Sequence, residues 1–84
     1  MSTMQSRDTA EAVVRAALRG FATEAELSAL PADEPLRRAL DLDSLDFLTF
    51  IERLSVARGQ RIEEDEYPRL LTIHSCVDFL TTNA

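Results

Sequence analysis

The chain has 84 residues, fifteen acidic and nine basic, for a net charge of −6. A chain this short buries only about 60–65% of its unfolded surface, which leaves one core and no deep cleft between domains. All nine basic residues are Arg, and the acidic excess excludes nucleic acid as a partner while favouring basic protein surfaces.

Ordinary hydrophobic content argues for a folded chain, and two glycines among many Ala, Leu, Glu and Arg favour helix. A single cysteine, Cys76, has no internal disulfide partner and fits a reducing, cytoplasmic setting. The first residues lack an apolar core, so no signal peptide is expected. No apolar run approaches the roughly 18 residues of a membrane span.

The spacing predicts a first helix over about Thr3–Arg19, with Ala10, Val13, Val14, Ala17, Leu18 and Phe21 in one apolar stripe and Gly20 as its stop. Asp8 with Glu11 is an alternative, later start. Residues 21–43 then form a long connection, of the kind that is functional or carries a small element. Within it Leu27 and Leu30 tuck inward, Pro31 ends that turn, and Pro35 opens a short helical turn over 34–40. From Glu24 to Asp46 there are seven carboxylates against Arg37 and Arg38.

Asp43 followed by Asp46 reads as an N-cap with a carboxylate at N3, a variant of the capping box. Ser44 falls at the first helical position, its hydroxyl beside N–H groups that lack partners within the helix and favour an anion. Two readings stay open there: part of the cap, or an attachment point for a phosphate ester. The helix runs to Arg58, with Gly59 as its stop. Phe47, Phe50, Ile51, Leu54 and Ala57 cover its core face. Leu45, Leu48, Thr49, Glu52 and Val56 cover an adjoining face, either the margin of the core or a docking surface beside Ser44.

Ile62 points inward from an extended link, and Glu63–Glu66 is a charge run suited to a helix start. Pro68 allows only a short or broken helix there. Thr72 caps a last helix with Ile73, Cys76, Val77 and Leu80 as its apolar stripe. The expected fold is all-α: three main helices plus one short helix, with the long loop between the first and second.

Rival chemistries find no support. His74 has no companion at ligand or triad spacing, and Cys76 reads as a buried thiol. Phosphate loops and nucleophile elbows are absent. Asp41, Asp43 and Glu52 match three positions of a calcium loop, but Leu45 and Asp46 occupy a ligand and the glycine position, which argues against calcium. Neither a metal site nor a free-standing enzyme is expected.

Leu40-x-x-Asp43-Ser44-Leu45-Asp46 at a helix start, Ile62 with the acidic run 63–66, Thr72-Ile73, and Val77-Asp78-Phe79-Leu80 together resemble the acyl carrier protein family. The match covers about Thr3 to Leu80 of a single carrier domain, 1–84, with residues 1–3 and 82–84 expected to be disordered. The resemblance implies an acyl-carrier-like helical bundle in which Ser44 carries 4′-phosphopantetheine, added from coenzyme A by a separate phosphopantetheinyl transferase. It also implies Asp43 as motif residue and cap, and Leu45, Asp46, Leu48, Thr49, Glu52 and Val56 as contacts for acyl-loading and acyl-transferring enzymes. The protein would be a non-catalytic, monomeric carrier for fatty-acid, polyketide or related lipid synthesis. A peptidyl or aminoacyl carrier and an unmodified helical interaction module are the alternatives.

Two departures stand out. The glycine common two residues before the motif's Asp is Asp41 here. Residues 44–58 hold Asp46 and Glu52 against Arg53 and Arg58, a neutral balance where bacterial fatty-acid carriers are acidic. Partners that dock on an acidic helix should therefore bind poorly, and a specialised carrier is expected.

Overall fold

The computed structural model describes residues 6–82. The expectation of disorder at residues 1–3 and 83–84 lies outside them, and Thr82 is in place as a helix C-cap. Among the described residues there are six helices and no strand: α1 (Arg7–Ala17), α2 (Glu24–Ala29), α3 (Leu36–Ala39), α4 (Ser44–Arg58), a 3-10 helix (Glu64–Arg69) and α5 (Ile73–Thr81).

Helix α1 opens at Arg7 because the Ser6 hydroxyl accepts the Thr9 N–H at 3.3 Å. It ends at Ala17, short of the expected Arg19, and Gly20 is not its stop, since Leu18 is the C-cap. Gly20 instead lies in the following turn, which Phe21 N–H closes on the Leu18 carbonyl at 3.1 Å. Its φ of +92° is the reason a glycine stands there.

The long connection holds two helices of its own, and one of them, α2, was not foreseen. Its signal was present in the sequence: Thr23 and Glu26 form a reciprocal capping box, with N–H to oxygen distances of 3.1 and 2.8 Å. Pro35 is the N-cap of α3 and not its expected first residue, because its ψ of 119° is extended, so the helix starts at Leu36.

Two arginines hold this connection to the longer helices. Arg15 of α1, oriented by Glu11 at 2.8 and 3.0 Å, donates to the Leu27 carbonyl and to the Leu30 carbonyl at 3.3 Å. Arg53 of α4 donates to the Ala17 and Arg19 carbonyls at 3.1 and 2.7 Å and lies over the Phe21 ring at 5.1 Å. Each guanidinium thus binds two carbonyls at or just beyond a helix end, Arg15 with its whole planar fork and Arg53 through Nη1 alone. Backbone bonds of 2.8 Å, Leu36 N–H to Leu71 and His74 N–H to Ala32, pin the connection to the first turn of α5 and the residues just before it.

Helix α1 packs against α5 and α4, and the 3-10 helix packs against α5. Phe50, Leu18, Leu36, Ile51, Leu54, Leu70 and Ile73 are the largest fully buried side chains. Burying each contributes about 1.5–3 kcal/mol. The expected core residues Phe47, Phe50, Ile51 and Leu54 are buried, whereas Ala57 is exposed. A single methyl in the last turn of α4 carries too little apolar area to demand a partner. In α5, Phe79 joins the expected stripe at 3% exposure, with Arg58 and Arg69 over its ring at 4.6 and 4.8 Å.

Replacing Arg15 by Lys keeps the charge but removes the fork, and should cost about 1–2 kcal/mol of stability in urea unfolding. A loss below about 0.5 kcal/mol would mean that the clamp holds nothing. Cys76 is fully buried, and burial pushes its thiol from an ordinary 9.0 up to about 12. A raised acid pKa in the folded state gives stability that is complete below about pH 9 and lost as pH climbs toward 12. Thiol reagents at pH 8 should accordingly label Cys76 at the rate of unfolding and not at the rate of a free thiol, as a time course with and without urea would show.

Candidate functional site

Four residues define the start of α4. Asp41 precedes it in the left-handed region, with φ +55°, the one non-glycine residue with positive φ among those described. Leu42 is buried and anchors the chain. Asp43 is the N-cap: its Oδ1 accepts the Asp46 N–H at 2.8 Å, and its own N–H donates to Asp46 Oδ2 at 3.3 Å. The expected capping box is therefore formed in both directions. Ser44 is the first helical residue and is exposed.

The box decides which donors remain. Asp46 N–H is taken by the cap side chain, and Phe47 N–H by the Asp43 carbonyl at 3.0 Å. Ser44 and Leu45 N–H are the first-turn donors left without a protein partner among the described residues. Electrostatically the end is less welcoming than the sequence implied. The Asp43 and Asp46 carboxylates already sit on the positive end of the helix, and a dipole worth about 0.3–1 kcal/mol to one anion is offset by two. Free N–H groups and an accessible hydroxyl are what the site offers. Net positive potential is not.

Arg37 is the nearby feature that sequence reasoning missed. From α3 it donates Nε–H to the Leu42 carbonyl at 3.4 Å and lies over the Phe47 ring at 5.6 Å. Its only sequence signal was being one of two cations in a strongly acidic stretch.

Along α4, at about 100° per residue, Leu45, Leu48, Thr49, Glu52 and Val56 fall opposite the buried face. Leu45 is 74%, Leu48 40% and Val56 82% exposed, so these three are not the margin of the core. Thr49 turns its hydroxyl back onto the Leu45 carbonyl at 3.0 Å and presents its methyl. Glu52 is the one charge on this stripe, because Arg53 is drawn toward α1 and Arg58 toward Phe79. The neutral count over residues 44–58 is thus divided in space.

Beside the C-terminal half of α4 lies a groove of about 490 Å³, lined by Ile51, Glu52, Ser55, Val56, Arg61, Ile62 and Tyr67. Ser55 is satisfied there, donating to the Ile51 carbonyl at 3.0 Å and accepting the Ile62 N–H at 3.2 Å. His74 is exposed and 3.5 Å from Asp78, away from any second histidine or cysteine ligand. Among the described residues no group of three or more His, Cys, Asp and Glu is placed to hold a metal ion. No helix among them is long and apolar enough to cross a membrane.

An L-residue at φ +55° carries strain that glycine does not. Asp41→Gly should therefore raise stability by about 0.5–1 kcal/mol in thermal or urea unfolding. A loss of stability would mean that the Asp41 side chain contributes more than its backbone costs.

No family model matches this chain, and neither does any curated protein or solved structure.

Proposed function

We propose that the protein is an acyl carrier whose prosthetic arm, 4′-phosphopantetheine, is esterified to Ser44. What supports this most is the conjunction at the start of α4. An exposed hydroxyl stands at the first helical position, with two unspent N–H groups beside it and a cap that fixes its direction. Asp41 adds support of a separate kind. Its positive φ falls two residues before the motif's Asp, where the carrier family commonly has glycine, so the backbone keeps a glycine-like turn that the residue identity conceals.

The donor set suits a phosphodiester. Ser44 Oγ forms the new P–O bond, its proton leaves to a base of the transferase, and the nucleotide half of coenzyme A departs with the broken bond. The arm's terminal thiol supplies thioester chemistry, and the chain's own residues present it. Asp43 and Asp46 lock the first turn so that Ser44 faces outward. The stripe Leu45, Leu48, Thr49, Glu52 and Val56 offers acyl-loading and acyl-transferring enzymes an apolar contact next to the attachment point. In this reading the six helices form an acyl-carrier-like bundle, with α1, α4 and α5 as its main helices and the 3-10 helix as the short one.

A second reading, an unmodified interaction module, draws on that same stripe, since exposed Leu45 and Val56 would suit a partner without any arm. One experiment separates the two. Incubation with coenzyme A and a broad-specificity phosphopantetheinyl transferase should add one phosphopantetheine mass to the intact protein and none to Ser44→Ala. An unchanged wild-type mass would favour the interaction module, and a group that persists on the variant would overturn Ser44 as the attachment site.

A further inference from the structure

We infer that Arg37 is the counter-ion of the phosphodiester on Ser44, holding the root of the arm against the first turn of α4. This rests on the carrier reading. The need for a counter-ion follows from the charges around Ser44. From Ala32 to Glu52 the chain carries six carboxylates, three of them at Asp41, Asp43 and Asp46 within three residues of Ser44. A phosphodiester is permanently anionic, and the capping box has already spent the positive end of the helix on two carboxylates. Over the same span the cations are Arg37 and Arg38.

Arg37 is the one that brackets the serine. Its Nε–H reaches the Leu42 carbonyl, two residues before Ser44, and its guanidinium covers the Phe47 ring, three residues after it. Ser44 and Phe47 are i, i+3 neighbours on one side of the helix, with Cβ atoms about 5–6 Å apart. The guanidinium lies over the ring and donates from Nε to the carbonyl. Its four Nη hydrogens have no partner among the described residues. A guanidinium with unspent donors can take phosphate oxygens in pairs, which a lysine ammonium does less well.

A double-mutant cycle tests this in the whole protein. Thermal midpoints are measured at low salt for apo and transferase-modified forms of wild type, Arg37→Gln, Arg37→Lys and Arg38→Gln. Each variant is compared only with its own apo form, which removes the cost of uncovering Phe47. Modification should lower the midpoint of Arg37→Gln by about 4 °C more than that of wild type, the size of one exposed ion pair in so small a domain. Arg37→Lys should fall between, Arg38→Gln should match wild type, and the gap should close in 1 M salt, where the screening length is about 3 Å. The ³¹P resonance of the modified protein should also move in Arg37→Gln. Equal shifts on modification in wild type and Arg37→Gln, an equal effect from Arg38→Gln, or an unmoved ³¹P resonance would each overturn the assignment. If intact mass shows no group added to Ser44, the carrier reading fails first and the inference falls with it. A modified protein with a null cycle removes Arg37 alone.

Discussion

The structure depends on two guanidinium groups that reach across to backbone carbonyls. The chain leaves α1 at Leu18 and does not enter α4 until Ser44, and so long an excursion has no sheet or disulfide to hold it. Arg15 fastens its early part at Leu27 and Leu30, while Arg53 closes the end of α1 from the opposite side. The carbonyls involved lie at or just past the ends of α1 and α2, so one side chain binds acceptors and holds the connection at once. Nearer Asp43 and Ser44 the path is held by backbone bonds from Leu36 to Leu71 and from Leu42 to Arg37. At Arg15 the choice of arginine over lysine has a physical meaning, since three nitrogens of one planar group donate there.

Helix α4 was legible because its signals agree: the Asp43–Asp46 box, the period of Phe47, Phe50, Ile51 and Leu54, and Gly59 in the left-handed region at φ 77°. Helix α2 was missed although it carries an equally good box at Thr23 and Glu26. It has only six residues and one fully inward leucine, Leu27, so no periodicity drew attention to its cap. Short helices announce themselves by their ends. Three of the fifteen acidic residues mark such ends, since Glu26, Asp46 and Glu66 each turn a carboxylate back to a backbone N–H.

The charge of α4 illustrates what a sequence count cannot resolve. Two acids and two arginines over residues 44–58 sum to neutrality, yet the outward stripe meets a partner as three apolar side chains, a threonine methyl and Glu52. Composition reports charge per helix, whereas recognition reads charge per face, and long arginine stems move their heads well away from their own Cα positions. Arg37 was invisible for the same reason. Its relation to Leu42 and Phe47 is a property of how α3 lies against α4, which no local pattern encodes.

The burial of Cys76 reaches beyond folding. A thioester is exchanged by any thiolate and attacked by any free amine that can approach it. Under the proposed function this chain offers its own cargo neither from a side chain: it has no lysine amine, and its single thiol is sealed in the core and held protonated. Acyl groups on the arm are thereby spared self-transfer, and the arm's thiol is spared a disulfide with its own carrier. The interior leucines and Phe79 act, in chemical terms, as a protecting group for a reaction that takes place elsewhere on the molecule.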